Sequence, residues 1–129
     1  MIKGMEHIAI VSKNTAALKD WYLKMFGGKI VYDNGKGTFF LAFEDKSMIE
    51  FIMSDSDASL PNETSTCGIR HIALAVGDKE FDASVEKLKA ENVSVVTDVK
   101  ISANGIKTFF FRDIDGNILH LIYRPNPLV

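Results

Sequence analysis

Apolar residues along this chain fall into short β-branched runs and one-sided stripes, and the same succession occurs twice. Residues 2 to 11 and 69 to 76 are apolar runs short enough to be strands. Helical periodicity follows each. Leu18, Trp21, Tyr22 and Met25 sit at i, i+3, i+4 and i+7, with Ser12 or Asn14 as cap and Gly27 and Gly28 as stop. Phe81, Val85 and Leu88 mark the second stripe, which Asp78 can cap and which ends near Glu91 and Asn92. Three strand-like runs come after each stripe: 29 to 33, 38 to 43 and 47 to 53, then 93 to 99, 106 to 112 and 118 to 123. The turn formers between them, Asn34-Gly35, Asp45, Asn104-Gly105 and Asp115-Gly116-Asn117, favour antiparallel neighbours.

The pattern therefore predicts an α+β domain made of two tandem βαβββ modules, residues 1–53 and 68–125. Residues 54–67 join them and carry a linker composition of Ser, Asp, Asn, Thr and Pro.

The repeat also carries polar residues at matching places. The first copy opens GMEHIAI and closes MIEFI, and the second opens GIRHIAL and closes ILHLI. His7 and His71 stand 64 positions apart, Glu50 and His120 stand 70 apart, and the four positions use every histidine in the chain. Alternation along the strands places each of them between apolar neighbours, so all four are expected mid-strand and buried. A buried carboxylate costs several kcal/mol, by the usual order of magnitude, unless it is paired or binds a metal. Taken singly, a strand histidine reads as a hydrogen-bonded core residue, and Glu50 as an ion-pair partner of Arg70 or Arg112. Ordinary core roles do not explain why the four should recur in one repeated frame, whereas a shared metal site does.

Composition removes other classes. The 129 residues make one domain by size, with a single cysteine, Cys67, and no secretory or membrane-length apolar run, which points to the cytoplasm. Fifteen basic and 17 acidic residues are intermixed, with a net charge of −2, so neither nucleic acid nor a membrane surface is an expected partner; a small molecule is. Cys67 has no histidine outside the four to activate it as a nucleophile. The string DIDGN at 113 to 117 echoes a calcium loop, but its glycine comes too early and the context is a hairpin.

The two βαβββ units, the GxxHIA openings and the FRDIDGNILHLI ending resemble the vicinal oxygen chelate superfamily, which includes glyoxalase I, fosfomycin-resistance proteins, extradiol dioxygenases and bleomycin-resistance proteins. The resemblance covers nearly the whole chain. It implies a cupped, mainly antiparallel sheet around a divalent metal (Zn, Ni, Co, Mn or Fe), with His7 and His71 supplied by first strands and Glu50 and His120 by fourth strands. In such families the ending is close to FRDPDGNxxEL, whereas this chain has Ile114 for the proline and His120 for the glutamate. Three histidines and one carboxylate would leave a dication with a formal charge of about +1.

Glu50 is then the one ligand able to act as a carboxylate base. The expected activity is that of a glyoxalase-like, lactoylglutathione lyase-type isomerase or lyase acting on a small oxygen-chelating substrate. The alternatives are an extradiol-type dioxygenase, a fosfomycin-modifying enzyme, and a non-catalytic drug-binding protein of the bleomycin-resistance kind. The resemblance also implies a homodimer, with modules paired within a chain or exchanged between chains.

Overall fold

A computed structural model describes residues 1–58 and 67–129. Its elements run β1 (His7–Ser12), α1 (Thr15–Phe26), β2 (Lys29–Asp33), β3 (Phe39–Ala42), β4 (Met48–Met53), β5 (Ile72–Ala75), α2 (Asp78–Ala90), β6 (Ser94–Ile101), β7 (Lys107–Arg112) and β8 (Ile118–Tyr123). The order is βαβββ twice. The chain divides into two compact units, Met1–Ser59 and Leu60–Val129. Most of the expected linker, residues 59–66, lies outside the described residues.

Each unit holds a four-stranded mixed sheet, in the order β1-β4-β3-β2 and β5-β8-β7-β6. The three strands after each helix pair antiparallel, as their short turns require, while the strand before the helix lies parallel to the last one. Turn chemistry fixes the hairpins. Asn34 Oδ1 accepts from the backbone N–H of Lys36 and Thr38, and Gly35 takes the left-handed φ of 71°. Asp113 Oδ1 accepts from the N–H of Asp115 and Asn117, and its Oδ2 from Asn117 Nδ2, so the calcium-like string is a hairpin turn whose carboxylate is already engaged.

One face of each sheet is closed by its own helix. In the first unit Leu18, Tyr22 and Met25 of α1 pack over Phe39, Leu41, Ile49 and Phe51, with Tyr22 edge-on to Phe51 at 5.2 Å. In the second, Phe81, Val85 and Leu88 of α2 cover Phe109, Phe111, Leu119 and Leu121. Asn14 caps α1 by accepting from Ala17 N–H, and Gly27 ends it at a φ of 73°. Asp78 does not cap α2. Gly77 takes that place and Asp78 begins the helix, its carboxylate 3.0 Å from Lys107 Nζ.

The opposite face of each sheet is the more open one. It carries His7, Ala9, Met48, Glu50 and Phe40 in the first unit, and Ala73, His120 and Phe110 in the second. Alternation thus sends Phe39 and Phe51 under a helix but Phe40 to the open side, and divides Phe109 and Phe111 from Phe110 in the same way. Replacing the fully buried ring in Phe111→Ala should lower unfolding free energy by about 3–5 kcal/mol, the usual cost of a large core cavity. Urea denaturation measures it, and a loss below about 1 kcal/mol would contradict the assigned sheet face.

Candidate metal centre

The parallel pairing brings the first and last strands of each unit together in one register. Ala9 aligns with Glu50 on β4, and Ala73 aligns with His120 on β8. On the other side Phe40 aligns with Glu50, and Phe110 with His120. Each fourth-strand residue therefore lies in a row between an alanine and a phenylalanine. The first-strand histidines stand two residues before those alanines, diagonal to the fourth-strand side chain and of the same parity. With only a methyl group on the aligned alanine, the histidine can lean toward that side chain.

In the first unit His7 Nε2 lies 3.4 Å from Glu50 Oε2, and His7 Nδ1 lies 3.0 Å from Glu6 Oε1. The His7 ring also meets Phe40 edge-on at 5.3 Å. In the second unit the rings of His71 and His120 stand 4.6 Å apart at 78°, and Phe110 stacks on His120 at 4.2 Å and 8°. Phe110 meets His71 edge-on at 5.5 Å. The four expected residues thus form two pairs, one in each unit. Among the described residues no group of three or more His, Cys, Asp or Glu side chains converges.

Burial differs from the sequence expectation. His7 is the first residue of β1, its side chain about one-third exposed, and His71 lies just before β5. Glu50 is half-buried and only His120 is fully buried. The first strands start late because their partners do: Met48 opens β4 opposite His7, so residues 1 to 6 have no strand to extend, and Ile2 and Met5 stay exposed. The Glu50 face of β4 looks out of the sheet, away from α1, which is why it is not sealed.

The second pair is held uncharged. Burial pushes the His120 pKa down to about 4, helped by the repulsion that two protonated rings, His120 and His71, would feel and by the charges of Arg124 and Arg70. Burial and Arg70 lower that of His71 as well. The Nδ1 atoms of both rings are buried without any hydrogen-bond partner. Each pair is of a donor type that suits a divalent cation of borderline softness: two neutral imidazoles with unsatisfied buried nitrogens in the second unit, and a histidine beside a carboxylate in the first. Within its own unit Arg112 donates from Nη1 to the Gly116 carbonyl at 2.8 Å, and Glu50 has His7 as its neighbour. The alignment of Phe40 with Glu50 and of Phe110 with His120 emerges from strand register, not from the order of residue types along the chain.

The model of one family matches residues 4–121. The chain belongs to the glyoxalase/bleomycin resistance protein/dioxygenase superfamily. It is 33% identical over 128 residues to YaeR, an uncharacterized protein of Escherichia coli K12, across 93% of this chain and 95% of that protein. It is 25% identical over 124 residues to the fosfomycin resistance protein FosX of Listeria monocytogenes, across 94% and 90% of the two. A crystal structure of a FosX variant from Listeria monocytogenes, in complex with Mn(II) and a dihydroxypropylphosphonic acid, superposes with a TM-score of 0.76 at 22% identity, covering 99% of this chain and 94% of that one. A lactoylglutathione lyase structure from Agrobacterium tumefaciens gives 0.70 at 18%, with coverages of 94% and 93%. These likenesses establish the two-module α+β fold. No helix among the described residues is long and apolar enough to cross a membrane.

The depressed His120 pKa makes stability pH-dependent. The folded state keeps the ring neutral while the unfolded chain takes up a proton near its ordinary value of 6.5. Stability is then full above that pH and falls as pH drops toward about 4. For chelator-treated protein the His120 contribution to unfolding free energy should fall by about 2 kcal/mol between pH 7.5 and pH 5. Urea denaturation at the two values measures it against His120→Gln, which should flatten the dependence. An equal slope in both proteins would contradict the assignment.

Proposed function

We propose that this protein is a divalent-metal-dependent enzyme of the glyoxalase type, a lactoylglutathione lyase-like isomerase or lyase acting on a small substrate that chelates through oxygen. His7, Glu50, His71 and His120 would hold the metal, shared between the two modules in a homodimer with two sites. The observation that carries this reading is the repeated pair: a first-strand histidine leaning on a fourth-strand Glu or His, at the same register in both units. When bound, a divalent cation supplies Lewis acidity toward substrate oxygens, and with one carboxylate among four ligands it keeps a formal charge of about +1.

The chain's own residues do the rest. His71 and His120 stay neutral and keep their lone pairs because burial and the nearby arginines oppose protonation. Phe110, stacked flat on His120, fixes the plane of that ring, and Phe40 does the same for His7 from the edge. Glu50 carries the proton. Its carboxylate lies on the open face, between the methyl of Ala9 and the ring of Phe40, where it can accept a proton from a substrate carbon next to a polarised oxygen and return it to the adjacent carbon. Val31, Tyr32, Phe40 and Met48 line an open apolar hollow of about 250 Å³ in the same unit.

A second reading is favoured by one finding, the similarity to FosX over most of both chains: a fosfomycin-modifying activity in which the same residues serve a phosphonate substrate. The two are separated by assaying metal-loaded protein for loss of the methylglyoxal–glutathione hemithioacetal and for loss of fosfomycin. In either assay Glu50→Gln should cut kcat by about a hundredfold or more, in line with general acid–base catalysis, while the variant still takes up metal. Unchanged kcat in Glu50→Gln would remove Glu50 as the base. Turnover of neither compound by metal-loaded wild type would remove both named activities.

A further inference from the structure

We infer that Glu6 is the positioning residue that sets the tautomer of His7 and turns its Nε2 lone pair toward the site shared with Glu50. The inference rests on the proposed metal role of His7 and adds to it a residue that the repeat alone does not reveal.

His7 stands between two carboxylates. Its Nδ1 lies 3.0 Å from Glu6 Oε1 and its Nε2 lies 3.4 Å from Glu50 Oε2. A neutral imidazole has one N–H and can donate to only one of them. If the proton sat on Nε2 it would point at Glu50, and neither atom could use that space for a cation. With the proton on Nδ1, donated to Glu6, the bare Nε2 and the Glu50 oxygen present two lone-pair donors side by side. The shorter contact is the one to Glu6, so the geometry selects the second arrangement. A carboxylate behind a ligand histidine both orients the ring and raises its basicity.

The device is needed here because His7 is the exposed member of the set, at the first residue of its strand and without the flat ring stack that His120 has. The second module departs from it. At the matched position before His71 stands Arg70, which cannot accept a proton, and His71 Nδ1 has no hydrogen-bond partner. There the rings are fixed by packing against each other and against Phe110. The two halves thus use different means to hold equivalent imidazoles.

Long-range ¹H–¹⁵N NMR on metal-free protein at pH 8, together with Mn(II) titration, tests the assignment in wild type, Glu6→Ala and Glu6→Gln. Wild-type His7 should carry its proton on Nδ1. Glu6→Ala should move it to Nε2 and weaken Mn(II) binding by about tenfold or more, as for other outer-shell carboxylates. Glu6→Gln, whose amide oxygen still accepts, should retain the Nδ1–H form and recover part of the affinity. A wild-type Nε2–H tautomer, a tautomer unchanged in Glu6→Ala, or equal Mn(II) affinity in wild type and Glu6→Ala would overturn the inference. Wild type that binds no Mn(II) yet shows the Glu6-dependent tautomer would sink the metal reading and leave the hold of Glu6 on His7 intact.

Discussion

Parallel pairing of the strand before each helix with the last strand of its module is the constraint on which the rest depends. It aligns Ala9 with Glu50 and Ala73 with His120, and so sets a histidine diagonally against each fourth-strand side chain. Side chains alternate with a period of two, so a slip of one residue would turn Glu50 or His120 toward the helix and bring Ile49 or Leu119 onto the open face. That slip is opposed by the packing of Phe51 and Ile49 under α1 and of Leu119 and Leu121 under α2. Core and candidate centre therefore share one register. Hydrophobic burial on one face fixes the chemistry on the other.

The two modules keep that frame and diverge in charge. Glu50 in the first corresponds to His120 in the second, and Glu6 corresponds to Arg70. One half brings two carboxylates and a histidine, the other two imidazoles lowered in basicity by burial and by nearby arginines. Phe40 and Phe110 are unchanged between them, which fits a common need to hold a flat ring or a carboxylate beside an aromatic wall. A duplicated scaffold with unequal halves gives its carboxylates to one side only. That places the single candidate base, Glu50, in the first module.

Much of this was readable from the chain alone. The repeated GxxHIA openings, the helical stripes at Leu18, Tyr22 and Met25 and at Phe81, Val85 and Leu88, and the Asn-Gly turns specify element order because each has a local cause in periodicity or backbone chemistry. The ends of the first strands did not follow from local pattern. Residues 2 to 11 have strand composition, but a strand ends where its partner ends, and β4 begins at Met48. The expectation of burial held for His120 alone of the four, because on the face that no helix covers it is the rings of His71 and Phe110 that enclose it. The Glu6–His7 contact and the Phe110–His120 stack are products of side-chain rotamer and register, and neighbouring letters do not encode them.

The central proposal is that His7, Glu50, His71 and His120 would together hold one divalent ion per chain. X-ray absorption at the metal edge of protein loaded with Mn(II), with the bound ion counted, tests it most directly. The expected result is one ion per chain with scattering from three imidazole ligands. A site with one or two imidazoles, or protein that retains no ion, would contradict it.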